Sequence, residues 1–143
     1  MYQMCPLLAI SLIIFAVLTL TGAADQGDLA WYEATVTQLP IVSGDMWEVK
    51  WGDIFLVGSM GFLFVELLRS TQTGAASITN HALSLVVFVI ALLLFLIVKG
   101  FGNSVFFLFM TMTLLDFLAG FIVTTVTARR DFSVAGGPGA PAS

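Results

Sequence analysis

The stretch FMTMTLLDFLAGF, residues 109–121, is almost entirely apolar but carries one carboxylate, Asp116, near its middle. Residues three and four positions apart share a face of a helix. On that rule the neighbours of Asp116 are small, hydroxyl or flexible side chains: Met112, Thr113, Ala119 and Gly120. Small residues let another helix approach closely, and hydroxyls can hydrogen-bond across the contact. The pattern therefore predicts that Asp116 points into a contact between helices.

The whole chain is strongly apolar. Of its 143 residues, 59% are hydrophobic and only 10% are charged, whereas a soluble domain carries roughly 25% charged residues. A membrane-spanning helix needs roughly 20 mostly apolar residues, and four segments approach or exceed that length: 6–23, 51–68, 81–98 and 104–127. We therefore expect an all-α fold, a bundle of four transmembrane helices in one domain, residues 1–132. The Gly-, Pro- and Ala-rich tail, residues 133–143, is expected to be disordered.

The first apolar segment could instead be a signal peptide, because it runs up to small residues at LTGAAD, residues 20–25. The preceding MYQMC, residues 1–5, contains no Lys or Arg, whereas the start of a secretory signal is normally basic. We therefore expect a retained helix. Cys5 is the single cysteine, so no disulfide can form within the chain.

The basic residues indicate an orientation. If the N-terminus is cytoplasmic, the three arginines fall on the cytoplasmic side and the two lysines fall outside: Arg69, Arg129 and Arg130 against Lys50 and Lys99. The positive-inside rule favours this arrangement. We expect a multi-pass protein of a bacterial inner membrane with both termini in the cytoplasm.

The first connection, residues 24–50, then lies outside the membrane and is acidic and rich in Trp and Tyr. Such rings prefer the headgroup zone. The stretch GDLAWYEATVTQL, residues 27–39, is expected to begin with Asp28 as a helix cap and to lie along the membrane surface as a short interfacial helix. A docking face for a partner outside the membrane is the alternative. Further along, Thr79 or Asn80 is the expected cap of the third segment.

A polar group is predicted at the inner face of the membrane, and it comprises Glu66, Arg69, His81, Arg129 and Arg130. Glu66 and Arg69 are three positions apart and can pair, and the long arginine side chains can reach water. The structural interpretation is mutual neutralisation of these charges. The functional alternative makes Glu66 and His81 the mouth of a proton path, because His titrates near neutral pH.

Asp116 is expected near mid-membrane, where an Asp costs roughly 2.5–3.5 kcal/mol. No basic residue of the chain lies at that depth, so we expect a neutral carboxyl, with Ser59 in VGSMG, residues 57–61, as its best hydrogen-bond partner. Three interpretations stay open. Asp116 joins the fourth helix to the second, or contacts a polar group on a partner's helix, or takes up a proton or cation during transport.

The sequence lacks the residues that several classes of function require. One His, one Cys and scattered carboxylates do not form a recognisable metal set. No phosphate-binding loop or nucleophile elbow occurs, and the few basic residues give nucleic acid nothing to bind.

We therefore predict a non-catalytic integral membrane protein without a cofactor, an accessory or assembly subunit of a larger inner-membrane complex. Its expected partners are the lipid bilayer and other membrane subunits, or further copies of itself. The alternative is a small oligomeric transporter or channel in which Asp116 is the proton or cation site.

Overall fold

The computed structural model describes the backbone of residues 6–70 and 75–135, and the side chains of the same ranges except 70, 75–81, 124 and 127–135. Its described part is mostly helical, and the four helices are α1 (Leu7–Thr21), α2 (Trp51–Ser70), α3 (Ala75–Ile97) and α4 (Ser104–Ala135). Two antiparallel strands, β1 (Thr35–Pro40) and β2 (Met46–Lys50), form a hairpin between α1 and α2. The prediction of four helices is confirmed, but the fold is not all-α.

The prediction of an interfacial helix over residues 27–39 was wrong, because the hairpin forms in its place. Only Trp31–Glu33 is helical there, as a single 3-10 turn. The TVT of residues 35–37 contains β-branched side chains, which favour a strand. At the turn, the Ile41 N–H donates to the Asp45 carbonyl over 2.8 Å, and Gly44 adopts a φ of 94° that favours glycine. The strand forms because a partner lies just downstream.

Two helix ends also differ from expectation. α3 begins at Ala75, ahead of the caps expected at Thr79 or Asn80, because the intervening residues are neither Gly nor Pro and the helix continues through them. α4 continues to Ala135, three residues into the expected tail, and the pair Gly136 and Gly137 follows. Residues 136–143 lie outside the described part of the chain.

The helices form a bundle in which α2 and α4 run in the same direction. Near their starts, the rings of Phe55 and Phe109 are 5.4 Å apart between centroids, and Gly52 lies against Val105. Nearer the ends, Glu66 is within electrostatic range of Asp116. Because successive positions on one helix meet successive positions on the other, their axes are parallel.

α1 and α3 run against this direction. The Phe15 ring, late in α1, lies 5.2 Å from Phe55, early in α2, whereas the start of α1 meets Glu66, late in α2. α3 joins α4 through a tight turn in which Gly100 has a φ of 95°. Asn103 then caps α4, its Oδ1 accepting from the Phe106 N–H over 2.9 Å.

An aromatic core fills the end of the bundle next to the hairpin. Phe15 is fully buried and lies within 4.8–6.0 Å, between ring centroids, of Trp31, Tyr32, Phe55, Phe101 and Phe106. Trp31 is held there because its Nε1 donates to Thr19 Oγ1 over 3.1 Å and its backbone N–H donates to Asp25 Oδ1 over 2.9 Å. Trp31 is therefore a core residue and not an interfacial one.

The outward faces of the helices are apolar. Two helices are long and apolar enough, by length and composition, to cross a membrane: Trp51–Arg69 and Ser104–Val123. Two further apolar helical stretches are shorter, Leu7–Thr21 and Ala82–Ile97. In the two longer ones, only 17% and 33% of the residues are buried inside the chain, so most of their apolar surface faces outward.

Gly52 fixes how closely the start of α2 approaches its neighbours. A Cβ at this position would lie 2.8 Å from the Tyr32 carbonyl oxygen and 2.8 Å from Val105 Cγ2. Because the backbone oxygen cannot yield, we expect Gly52→Ala to lower the free energy of unfolding in detergent by roughly 1–3 kcal/mol. Denaturant titration followed by circular dichroism measures it.

Gly58→Ala is the matched control, because among the described residues no atom beyond the local helix lies within 4 Å of a Cβ built there. A helix-interior alanine in open space gains roughly 0.5–1 kcal/mol over glycine. Equal effects of the two substitutions would contradict the close contact at Gly52.

Candidate functional site: the polar interior

Buried polar side chains occur on the inward faces of all four helices. They are Ser11 of α1, Ser59 and Glu66 of α2, Ser84 of α3, and Thr113 and Asp116 of α4, each at most 4% exposed. We call these six side chains the polar interior. It contains two carboxyl groups, and burying a charge is costly unless it is hydrogen-bonded or paired. Their partners therefore decide what the site does.

Glu66 caps the N-terminus of α1. Its Oε1 accepts from the Leu7 N–H over 3.1 Å, and its Oε2 accepts from the Leu8 N–H over 3.3 Å. α1 has no cap of its own, because Pro6 at the N-cap position offers no side-chain acceptor and the first turn contains no acidic residue. The first N–H groups of a helix lack partners within it and attract negative charge. A carboxylate from α2 therefore does what a Ser or Asp before α1 would ordinarily do.

This cap was not foreseen from sequence, which placed Glu66 with Arg69 at the membrane surface. Glu66 is only 2% exposed within the described part of the bundle, and Arg69 is near enough to attract its carboxylate. The available signal was the missing cap at Pro6, since a helix without a local acceptor needs a distant one. Sequence alone does not say which residue supplies it.

Asp116 lies on the buried face of α4 together with Thr113 and Gly120. It is not isolated, because its carboxyl interacts electrostatically with that of Glu66. Glu66 follows Gly52 by 14 residues and Asp116 follows Val105 by 11, and Gly52 and Val105 are in contact. The two carboxylates therefore differ by three residues, about 4.5 Å, along parallel helices.

Ser59 does not form the hydrogen bond with Asp116 that the sequence predicted. Its Oγ is buried and has no hydrogen-bond partner in the described part of the chain. Ser59 lies 7 residues after Gly52, whereas Asp116 lies 11 residues after Val105. The difference of four residues places Ser59 about 6 Å nearer the hairpin end than Asp116. The nearby hydroxyl of Thr113 donates instead to the Met110 carbonyl of its own helix over 2.7 Å.

The rest of the predicted inner-face group is only partly described. Arg69 is near Glu66, whereas the side chains of His81, Arg129 and Arg130 lie outside the described residues. Within the described residues, no group of three or more His, Cys, Asp or Glu side chains could hold a metal ion. The main interactions in the described site are electrostatic. Two neighbouring carboxyls repel when both are charged. The N-terminus of α1, together with Arg69, supplies a compensating positive potential.

Comparison of the chain with protein-family models, with curated proteins and with solved structures gives no match. A functional assignment therefore rests on the chemistry of its own residues.

The cap on α1 predicts a large effect of Glu66→Leu. This change removes both acceptors and leaves the Leu7 and Leu8 N–H groups without partners beside the bundle interior. A buried donor left unsatisfied costs roughly 1–3 kcal/mol, and we expect the free energy of unfolding in detergent to fall by that amount. Hydrogen exchange of the Leu7 and Leu8 amides should accelerate in the same variant.

Glu48→Gln is the control for Glu66→Leu, because Glu48 is exposed and its carboxylate bonds only the Gln38 amide among the described contacts. Surface changes of this kind usually stay within about 0.5 kcal/mol. Unchanged amide exchange at Leu7 and Leu8 in Glu66→Leu would show that the cap does not stabilise α1.

For Ser59 we expect a substitution to raise the stability of the protein, because the buried hydroxyl has no hydrogen-bond partner among the described residues. Ser59→Ala removes a buried polar atom that makes no bond among the described residues. Because such an atom costs roughly 1–3 kcal/mol, we expect the variant to unfold at a higher temperature in detergent. A clear loss of stability would show that Ser59 has a partner in the membrane, with Asp116 as the first candidate.

Proposed function

We propose that this chain is a small multi-pass integral membrane protein whose four helices all cross the bilayer. We further propose that it is a non-catalytic accessory or assembly subunit of a larger inner-membrane complex, with both termini in the cytoplasm. The observation that carries the proposal is the distribution of polarity, because large apolar side chains cover the outside of the bundle while Glu66 and Asp116 lie inside it.

The apolar exterior extends over all four helices. On α2, the side chains of Val57, Met60, Phe64 and Leu68 are 54–70% exposed. Comparable exposure occurs on the others at Ile13 and Leu20 of α1, Leu96 and Ile97 of α3, and Leu115, Phe121 and Ile122 of α4. Soluble monomers rarely expose apolar patches larger than a few hundred Å². Lipid is the solvent that such a surface suits.

The helices differ in how well their lengths match the thickness of a bilayer. The candidate span Trp51–Arg69 has 19 residues and Ser104–Val123 has 20, about 28–30 Å of helix against a hydrocarbon core of about 30 Å. α1 has 15 residues and covers only about 22 Å. A shorter span is accommodated by local thinning of the bilayer at modest cost, so α1 can cross beside the longer helices.

The polar interior supports a structural role over a catalytic one. Both oxygens of Glu66 accept hydrogen bonds from the backbone of α1, and Thr113 bonds its own helix. Glu66 therefore joins α2 to α1, whereas the Thr113 hydroxyl is used within α4. The Glu66 contact with α1 supports a structural role for this carboxyl in the proposed assembly function.

The exposed face of α2 supports contact with another membrane subunit. Gly58 and Gly61 lie on this face, and among the described residues no atom beyond the local helix lies within 4 Å of a Cβ built at either. Glycine in a helix interior is destabilising, and here neither glycine fills a close contact with another described element. Small residues at such positions allow the helix of a partner to approach closely.

The competing function is a small oligomeric transporter or channel. The proximity of the Glu66 and Asp116 carboxyls favours it, since neighbouring acids inside a bundle are typical of proton and cation paths. Transport requires that Asp116 titrates, whereas a structural role requires only that it forms hydrogen bonds.

Subunit association predicts discrete partners. We expect tagged protein, extracted from its native membrane in mild detergent, to co-purify with other membrane subunits in fixed ratio by mass spectrometry. Gly58→Leu should lower the yield of partners without changing the helical content, because it fills the open face of α2. A homo-oligomer without other subunits would contradict the accessory role.

The structural role of Asp116 predicts tolerance of Asp116→Asn, because an amide retains hydrogen-bonding capacity. We expect unchanged partner yield and a change in unfolding free energy within about 1 kcal/mol. Reconstituted liposomes containing either form should show the same proton and sodium flux as empty liposomes. A flux that is present in the original protein and lost in Asp116→Asn would establish transport instead.

A further inference from the structure

The hairpin has one apolar face. Directly opposed residues on paired strands share a face of the sheet, and here Leu39 is opposite Trp47 and Thr37 is opposite Val49. These four side chains form what we call the apolar hairpin face, which carries no charge. Leu39 and Trp47 are each about half exposed, so the described part of the chain leaves about half of each side chain uncovered.

The opposite face of the hairpin is mixed, with one polar pair and one apolar pair. Gln38 is opposite Glu48, and the Gln38 Nε2 donates to Glu48 Oε1 over 2.9 Å. Pro40 and Met46 complete this face. The one carboxylate within the paired strands is thus held on the side away from the apolar hairpin face.

The hairpin continues without a linker into α2. β2 ends at Lys50 and α2 begins at Trp51, which is also the first residue of a stretch long and apolar enough to cross a membrane. The Lys50 N–H donates to Asp53 Oδ2 over 2.9 Å, and the Trp51 N–H donates to the Ala34 carbonyl over 3.1 Å. The base of the hairpin is therefore fixed at the end of a candidate membrane span.

We propose that the apolar hairpin face rests on the surface of the bilayer at the side where α2 begins, with Trp47 among the lipid headgroups and Leu39 in contact with the upper acyl chains. This inference rests on the proposed function, because it requires α2 to cross a bilayer. An isolated two-stranded hairpin is at best marginally stable in water. Contact with lipid supplies the burial that its exposed Leu39 and Trp47 lack.

Lipid fits this face better than a protein partner does. Trp47 and Trp51 are both about half exposed, and Trp is enriched at the headgroup level because its ring is apolar and its N–H stays wet. On the apolar hairpin face the exposed side chains of Leu39 and Trp47 carry no charge, whereas Glu48 and Lys50 lie on the opposite face by strand alternation.

Spin labels test the orientation of the hairpin in a bilayer. The full chain with Cys5→Ser, reconstituted in nanodiscs of palmitoyl-oleoyl phosphatidylcholine, would carry one nitroxide at Leu39→Cys, on the apolar hairpin face. The matched control is Gln38→Cys, the adjacent residue on the opposite face. Met60→Cys, nine residues into α2 and exposed outward, reports whether α2 is in lipid.

We expect the label at position 39 to collide with oxygen more than with a water-soluble nickel chelate, and the label at 38 to show the reverse, with a several-fold difference in their ratio. Position 60 should favour oxygen most strongly. Fluorescence of the protein with its three tryptophans retained, quenched by brominated phosphatidylcholine, supplies a measurement free of labels. Headgroup-proximal bromine should quench it measurably more in the original protein than in Trp47→Phe.

Two results would overturn the inference while leaving the proposed function intact. In both, position 60 is in lipid: either position 39 is as accessible to nickel as position 38, or it is shielded from both reagents, as contact with a second copy would produce. Nickel access at position 60 would instead remove α2 from the bilayer, and the proposed function would fail with the inference.

Discussion

The bond between the Glu66 carboxylate and the first N–H groups of α1 is the constraint on which the bundle depends. α1 begins after a proline that cannot cap it, so its first donors need an acceptor from elsewhere. Glu66, buried late in α2, needs donors for the same reason. Each group satisfies the other, and this reciprocal need places α1 antiparallel to α2 at a defined height.

The position of α1 along α2 determines which residues meet in the rest of the interior. With the start of α1 at Glu66, Phe15 reaches the hairpin end of the bundle, where five aromatic rings surround it. Polar residues lie further along, with Asp116 of α4 near Glu66. The bundle thus has an aromatic end that excludes water and an end where charge is held by backbone donors and Arg69.

The hairpin belongs to the same arrangement. Gly52 lets the backbone of Tyr32 and the side chain of Val105 approach the start of α2 closely. The Tyr32 ring stacks on Phe15 at 6.0 Å between centroids, and burial, together with the charges of Glu33 and Asp25, raises the pKa of its phenol. The base of the hairpin is therefore anchored in the aromatic core. Its strands carry exposed apolar side chains at Leu39 and Trp47, and Gly58 and Gly61 are exposed on α2.

The sequence by itself determined the four helices, because a long apolar run is a local property and its ends are marked by Gly, Pro and polar residues. It also indicated the buried face of α4, since spacing along one helix is likewise local. The tertiary structure alone decided the partners. The pairing of β1 with β2, the capping of α1 by a residue 58 positions away, the burial of Trp31 and the offset that separates Ser59 from Asp116 all depend on how helices and strands align in space. Hydropathy along a chain contains no information on that alignment, because the same apolar pattern is compatible with many relative heights of its helices.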